Sequence, residues 1–342
     1  MYRVLESSDQ NWNMLLKGFS TAYQDIYYTS EYYHLCESNG EGIGKLFYLE
    51  DEFGNKGFYP FLLNKIDNDL LKREYYDIET AYGYGGPIIE CKDDLFYDIF
   101  ENKFIEYCKK NSVIAEFIRF HPLVGNETKF KKHLSVCKNR TTVSLDLTEN
   151  IDDIWSTDLK SENRTRIRKA SKNGLYIEKS NDYEQFKIIY ELTMKKVNAR
   201  KEYLFNDDYY LQLSKMKNAF LVNVMLNKQI IASGCFLYYG DYCHYHLGGS
   251  LAEHLSLGPN NFMMWEAIKI GKELGCKKFH LGGGLTDEPH DNLFRFKKSF
   301  SKNFHPFCIG KRIHNQDIYE KLIKNWEKKT KKKASLFLQY KY

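Results

Sequence analysis

A lysine that follows a run of three glycines is the residue best placed for chemistry in this sequence. Lys297 lies in the basic and aromatic stretch 293–300, shortly after the glycines at 282–284. Glycines at the end of a strand let a ligand approach the backbone closely. A lysine ammonium held there can stabilise the negative charge that develops on a carbonyl oxygen, or can hold a substrate. An ordinary amphipathic basic helix is the alternative, and Arg295 or Lys298 is an alternative participant.

Two further groups are predicted at the same place. Tyr245 lies on a predicted strand that ends in glycines, and we expect its ring to project toward the same cleft as Lys297. His244 and His246 then face the other side of the strand, because side chains alternate. Asp287 follows the glycines and can accept the proton that an attacking amine must lose, since such an amine has a pKa near ~10.4. Ordinary carboxylates of a surface loop are the alternative.

Neither a metal nor a cofactor is predicted. His244 and His246 form a His-x-His pair, but no third ligand has a convincing spacing. The eight cysteines are scattered without a C-x-x-C motif, which is typical of reduced thiols in a reducing compartment. None has a histidine at an informative spacing, so a thiol nucleophile is not expected.

A predicted helix at 152–173 carries a second set of candidate residues. Arg164 and Arg168 recur at four-residue spacing with Lys160 and Lys172, so we expect all four on one face. Like charges at this spacing repel each other. Phosphates of a nucleotide-linked precursor or of tRNA would compensate them. A solvated face of the helix is the alternative.

The elements that must position these residues form a strand–helix–strand unit. Strands are predicted at 242–247 and 278–281, with a helix between them. The helix begins near Pro259 and stops at Gly275, the usual placement of these two residue types. We therefore expect the chemistry to gather where the two strands end.

The two halves of the chain echo each other. Asn55-Lys56 matches Asn227-Lys228, and Gly86-Pro87 matches Gly258-Pro259, in both cases at an offset of 172 positions. Chance in an aromatic-rich sequence is the alternative to a duplication. The repeat predicts a first unit at 1–150, a second at 151–316 and a Lys-rich segment at 317–342 that packs back on the first.

Composition is that of a globular chain of 342 residues, with 43% hydrophobic and 28% charged residues and a net charge of +5. The last 22 residues hold eight lysines and one acid, a pattern that suits tRNA or peripheral contact with an anionic membrane as well as a solubilising helix. No apolar window is long enough to span a bilayer, and the start of the chain lacks a signal-type apolar region. We expect a cytoplasmic protein, and no stable protein partner is implied.

The order of the elements and several motifs resemble acyltransferases of the GNAT fold. The resemblance is to the Fem family of peptidoglycan-bridge aminoacyltransferases and related acyltransferases. The motifs that carry it are AYGYGGP at 81–87, RTRIRKASKNG at 164–174, ELTMKKVNARKEYLF at 191–205, HLGGS at 246–250, FHLGGG at 279–284 and LFRFKKSF at 293–300.

The resemblance implies an α/β (α+β) fold of two tandem GNAT-like units. The interval 183–220 leaves no room for the coiled-coil arm of some Fem branches. It also implies that Lys297 lies at the substrate channel. Lys297, Tyr245 and Asp287 are the predicted catalytic residues. The implied substrate-binding residues are Tyr84, Arg164, Arg168, Gly283, Gly284, Arg295 and Phe296.

The resemblance further implies that the transferred group is an aminoacyl group. Segment 255–260 stands where a GNAT enzyme binds the pyrophosphate of CoA through backbone N–H groups. Pro259 removes one donor and a second glycine is absent, which favours aminoacyl-tRNA over acyl-CoA as donor. A mere helix cap is the alternative reading of this segment. The acceptor would be an amine of a nucleotide- or lipid-linked peptidoglycan or other cell-envelope precursor.

Two alternatives remain open. One is a GNAT N-acyltransferase that uses acyl-CoA or acyl carrier protein on a sugar amine or small metabolite. The other is a non-catalytic tandem GNAT module that binds RNA or an envelope precursor.

Overall fold

The computed structural model describes residues 2–130, 134–178 and 180–341. The strands are β1 Arg3–Glu6, β2 Ile43–Glu50, β3 Lys56–Lys65, β4 Tyr76–Glu79, β5 Ile88–Glu90, β6 Val113–Arg119, β7 Ser135–Asp146, β8 Tyr176–Glu178, β9 Ala219–Leu226, β10 Gln229–Tyr239, β11 Tyr242–Ser250, β12 Lys278–Gly283 and β13 Asn303–Ile313. The helices are α1 Asn11–Lys17, α2 Ser30–Ser38, α3 Leu95–Lys110, α4 Ile151–Asp153, α5 Ser161–Lys172, α6 Tyr183–Lys196, α7 Asp207–Lys215, α8 Pro259–Glu273, α9 Asn292–Lys297 and α10 Gln316–Thr330.

Tertiary contacts divide the chain into two compact units. The first unit contains residues 1–23, 27–139 and 307–342, and the second contains 24–26 and 140–306. The division therefore falls inside β7 and β13, two strands that each start in one unit and end in the other. The domain limits at 150 and 316 remain a prediction.

The first unit is built on the strand order β1-β2-β3-β4-β6-β13, with β5 paired to β3. Helix α3 runs between β4 and β6, which pair in parallel. Aromatic side chains dominate its core, including Phe47, Phe61 and Phe104. Helix α10 and the chain after it pack on β6 through Leu322 and Leu338.

The second unit is built on the strand order β7-β12-β11-β10-β9-β8. Helix α8 connects β11 to β12, and these two strands pair in parallel, whereas β9, β10 and β11 pair in antiparallel fashion. Helices α5 and α8 contribute to a core around Met263, Phe279 and Leu281. Each unit therefore contains a hairpin followed by two parallel strands that a helix connects. This confirms the prediction of an α/β chain with two tandem GNAT-like units.

The duplicated motifs lie only partly in the same local structure. Asn55 and Asn227 each lie at a hairpin turn, and Asn227 has a positive φ of 50° together with Lys228 at 66°. Two successive positive φ values make the tight turn that suits twisted hairpins. Gly258-Pro259 opens α8, whereas Gly86-Pro87 leads into β5 and the next helix, α3, begins only at Leu95.

The helix predicted at 152–173 is interrupted. Residues 151–158 form α4 and a π-helical turn, Leu159 and Lys160 are extended, and α5 begins at Ser161. The Lys160 N–H donates to the Ser299 carbonyl at 2.9 Å instead of continuing the helix. Lys160 therefore lies at the N-cap of α5 rather than on its charged face.

Helix lengths bear on two expectations. Within residues 2–130, 134–178 and 180–341 the longest helix is α3, with 16 residues, and no coiled-coil arm is present. In the same residues no helix has both the length and the apolar character needed to cross a bilayer.

Candidate active site

Strands β11 and β12 separate after a short stretch of pairing. They pair at three positions, the last of which joins His244 to His280, and both strands continue beyond it. A bulge between β12 and β7 lies at His280 and Gly282, and Gly282 has a left-handed φ of 77°. The backbone of β11 after His244 is therefore not paired to β12 in the described chain. The end of this pairing thus lies next to the glycines of β12.

Helix α9 brings Lys297 to this point. Asp291 caps the helix by accepting the Phe294 N–H at 2.8 Å, and it also accepts the N–H groups of Leu285 and Thr286 at 2.8 and 2.9 Å. Burial raises the pKa of Asp291, but these backbone donors outweigh it and lower the pKa overall. The loop after β12 is thus tied to the start of α9, which sets the direction of Lys297.

Lys297 is only 7% exposed. Its Nζ donates to the Gly283 carbonyl at 2.8 Å and lies 5.6 Å from the centre of the Tyr245 ring. Burial, and secondly the positive charge of Arg140, lower the pKa of Lys297 to about 7. The amine is therefore poised between its charged and neutral forms near neutral pH.

Arg140 is a site residue that the sequence reasoning missed. Its Nη1 donates to the Gly284 carbonyl at 2.7 Å, so two cationic side chains bind successive carbonyls at the end of β12. No local spacing could have indicated this pairing, because Arg140 and Gly284 are 144 positions apart. Two neighbouring cations on fixed backbone make a site for a carbonyl oxygen that becomes negative.

The glycines of β12 are needed for packing as well as for access. A Cβ on Gly283 would lie 2.8 Å from the Thr141 carbonyl oxygen, and one on Gly284 would lie 2.5 Å from Asp291 Oδ1. Real Cβ atoms do not approach other atoms so closely, so larger residues would displace the carbonyls that hold Lys297 and Arg140.

The structure brings Tyr245 and Asp287 to the same unit as Lys297. Tyr245 packs on Phe236 with ring centres 5.5 Å apart, and burial raises the pKa of Tyr245 to about 12, so its hydroxyl stays protonated. Asp287 is exposed and accepts the Thr141 hydroxyl at 3.3 Å. The catalytic roles of all three residues remain predictions.

The remaining predicted binding residues differ in what they contact. Arg164 Nη1 donates to the carbonyls of Trp155, Ser156 and Leu159 at 3.2, 2.9 and 2.6 Å, so it caps the turn before α5. Arg168 lies 5.3 Å over the Trp155 ring and is exposed. A phosphate role for both arginines remains a prediction.

Of the three remaining predicted binding residues, two pack against aromatic rings and one is exposed. Phe296 packs on Phe300 at 5.3 Å, whereas Arg295 is exposed on α9. Tyr84 belongs to the first unit, where its ring contacts Phe307 at 5.2 Å and His121 at 5.9 Å. Their contribution to substrate binding remains a prediction.

The two histidines of β11 have partners on the side of the strand away from Tyr245. His244 Nε2 lies 2.6 Å from Asp25 Oδ2, and its Nδ1 lies 3.3 Å from His280 Nδ1. His246 Nε2 lies 2.6 Å from the Tyr209 hydroxyl. Each ring is thus engaged by neighbouring side chains.

One group of side chains in the first unit has metal-ligating atoms close together. Cys108, Glu116 and His314 each offer an atom within 4.8 Å of the others. Glu116 is bonded to His314 at 2.8 Å, and Arg312 lies 3.9 Å away. The arginine cation beside the carboxylate opposes a divalent ion there.

The segment before α8 is a 3₁₀ helix, Ala252–Leu257. The N–H groups of His254 and Gly258 donate to the carbonyls of Leu251 and Leu255 within this turn. Pro259 has no N–H and occupies the first position of α8. These donors are used by the protein itself rather than presented to phosphates.

Comparison with known proteins identifies the second unit. Residues 161–298 match the family model described as an acetyltransferase (GNAT) domain. A search of curated proteins found no match.

Several solved structures share the fold. FemX has a TM-score of 0.71 at 15% identity, over 93% of this chain and 99% of that chain. The C-terminal domain of a putative lysylphosphatidylglycerol synthetase from Agrobacterium fabrum has a TM-score of 0.53 at 13% identity, over 90% of this chain and 91% of that chain. A tandem GNAT protein from the clavulanic acid biosynthesis pathway has a TM-score of 0.50 at 8% identity, over 92% of this chain and 99% of that chain. At these identities the likeness concerns the fold. The chain is therefore an acyltransferase with the tandem GNAT fold, and its GNAT domain lies at 161–298.

Proposed function

We propose that the chain transfers an aminoacyl group from aminoacyl-tRNA to an amine of a peptidoglycan or other cell-envelope precursor. The observation that carries the proposal is the buried Lys297, held on the Gly283 carbonyl beside the separated ends of β11 and β12. FemX and the lysylphosphatidylglycerol synthetase domain share the fold and support a donor and an acceptor of these classes. Aminoacyl-tRNA is a cytoplasmic molecule, so we place the reaction in the cytoplasm.

The proposed reaction is direct attack, without a covalent intermediate between the aminoacyl group and the enzyme. The acceptor nitrogen attacks the ester carbonyl carbon, a C–N bond forms, and the electron pair of the C=O moves to oxygen. The tetrahedral intermediate then expels the ribose oxygen, which takes up a proton as a hydroxyl. The nitrogen loses a proton, and Asp287 is the proposed acceptor.

Lys297 is proposed to stabilise the oxyanion. An ammonium has three N–H donors, and the Gly283 carbonyl takes one of them. The others can bind the carbonyl oxygen as its charge grows, and Arg140 adds a second positive charge next to it. Donors fixed before the reaction require no reorganisation during it.

The segment 251–259 favours aminoacyl-tRNA over CoA in this proposal. The N–H groups of His254 and Gly258 bind carbonyls within the 3₁₀ turn and Pro259 has no N–H, which leaves fewer backbone donors before α8 for a phosphate. The match of residues 161–298 to the acetyltransferase domain favours the second candidate, an N-acyltransferase using acyl-CoA or acyl carrier protein on a sugar amine or small metabolite.

The test compares donors on the purified full chain. Radiolabelled aminoacyl-tRNAs and acyl-CoAs are offered with nucleotide-linked and lipid-linked precursors, and label in the acceptor is counted. We expect transfer from aminoacyl-tRNA only, and a loss of about 10²–10³ in kcat for Lys297→Met.

Lys298→Met is the matched control, because Lys298 is the next residue and lies 5.6 Å over the Phe294 ring instead of in the site. It should keep most of the activity. Transfer from acyl-CoA alone would establish the second candidate, and binding of precursor or RNA with no transfer from any donor would establish a non-catalytic module.

A further inference from the structure

A hollow lined by lysines lies at the end of α10 in the first unit. Its volume is about 370 Å³. We call it the lysine hollow, and its lining residues are Lys324, Glu327, Lys328, Lys331, Lys332 and Lys333. All five lysines are exposed. The proposed reaction uses none of them.

The hollow is built by a turn that folds the chain back on the helix. Lys331 is the C-cap residue of α10 in the left-handed conformation, with φ of 58°, and its N–H donates to the Glu327 carbonyl at 2.9 Å. The Glu327 carboxylate accepts the Ala334 N–H at 3.0 Å and pairs with Lys333 at 3.2 Å. Residues 331–333 are therefore held beside the last turns of α10.

This arrangement costs stability. A left-handed residue other than glycine is sterically unfavourable, and glycine is the usual residue at this position. Lys328, Lys331 and Lys332 form no ion pair within residues 2–130, 134–178 and 180–341, so they repel one another. The helix dipole favours cations only in the last turn of the helix. A bound anion with several charges would offset these costs.

We propose that the lysine hollow binds the phosphate backbone of an RNA stem. The choice of RNA among polyanions rests on the proposed function, in which the donor is an aminoacyl-tRNA. The hollow is concave and its cations surround it, which fits a convex ridge of phosphates. Lysines contribute as point charges that need no fixed base sequence.

A bilayer fits this surface less well. A helix that lies on a membrane buries an apolar face among the lipids. The apolar face of α10 is already used, because Leu322 is fully buried and Ile318 and Tyr319 pack against the same cluster. What α10 presents outward is charged.

The test is fluorescence anisotropy with labelled, unacylated tRNA on the full chain. The hollow variant replaces the five lysines by glutamine. The matched control makes the same change of charge at five exposed lysines elsewhere in the first unit: Lys72, Lys92, Lys103, Lys109 and Lys110. We expect the hollow variant to bind roughly 10³-fold more weakly at about 0.1 M salt, and the magnitude of its slope of log K against log salt to decrease by roughly 3. The control variant should lose about twofold or less in affinity for tRNA. Melting curves verify that both variants fold.

Equal losses in the two variants would overturn the proposal, since binding would then depend on net charge alone. So would tight binding to vesicles with anionic lipid that the hollow variant loses while it keeps RNA affinity. The Lys297→Met variant separates this inference from the proposed function, because it should bind tRNA normally. If no donor supports transfer but only the hollow variant loses affinity for tRNA, the proposed function is wrong and the proposal that the lysine hollow binds RNA is supported.

Discussion

Replacing Lys297 by methionine is expected to stabilise the second unit near neutral pH while it slows transfer strongly. Folding lowers the pKa of this lysine from 10.5 to about 7, and a change of one in pKa corresponds to about 1.4 kcal/mol. At pH 7 the unfolded chain is protonated here and the folded chain is about half protonated. The buried amine therefore costs roughly 4 kcal/mol at that pH.

Methionine has a similar length but no charge. It leaves the Gly283 carbonyl without its donor, which costs about 1–3 kcal/mol, and it loses the cation contact with Tyr245, worth up to about 1 kcal/mol. The net gain of the variant at pH 7 should be about 0–3 kcal/mol. The wild type regains stability as pH rises, because above the folded pKa the unfolded chain binds more protons. The advantage of the variant should shrink by roughly 2 kcal/mol between about pH 7 and 9.

Pulse labelling of buried cysteines in urea measures the free energy of unfolding of each unit separately. Cys235 is buried in the second unit, and Cys108 is buried in the first and serves as the internal reference. Lys297→Arg stays charged and Lys297→Met stays uncharged at both pH values, so neither variant should change in stability at this site, whereas the wild type should gain roughly 2 kcal/mol relative to both. A difference between wild type and Lys297→Met that stays constant from pH 7 to 9 would refute the reasoning, since Lys297 would then keep one protonation state.

Two further substitutions test the surroundings of the site. Arg140→Gln removes a cation that lowers the pKa of Lys297, so the alkaline limb of the pH–rate profile should move upward, whereas Arg140→Lys should leave it nearly in place. An unmoved limb in Arg140→Gln would contradict this electrostatic coupling. Arg164→Gln releases three backbone carbonyls and should lower the stability of the second unit by roughly 1–3 kcal/mol in urea. The exposed Arg166→Gln should change it by about 0.5 kcal/mol or less, and equal effects of the two would argue against the cap.

The sequence was sufficient for most elements of the second unit. Pro259 marks the start and Gly275 the end of the predicted helix, and α8 runs between them. Strands predicted at 242–247 and 278–281, each followed by glycines, correspond to β11 and β12. These features depend on residues near each other in the chain, so propensity and periodicity determine them.

Local patterns failed where a distant partner decided the structure. Residues 152–173 have the composition of one helix, yet Ser299 takes the Lys160 N–H and Arg164 caps the turn before it. A regular row of cations was expected as well, but Lys160 falls outside the helix that carries the others. Tertiary hydrogen bonds outweighed helix propensity because each is worth about as much as several residues' preference.

What the sequence determined by itself is which residues lie at strand ends and helix starts, including Lys297 after the glycines. Only the tertiary structure placed Arg140 next to Lys297, because contacts 144 positions apart, such as that between Arg140 and Gly284, leave no local pattern. The structure also decided that this lysine is buried and has a pKa of about 7. Burial and neighbouring charge are properties of the folded packing, and they turn an ordinary basic residue into a candidate for catalysis.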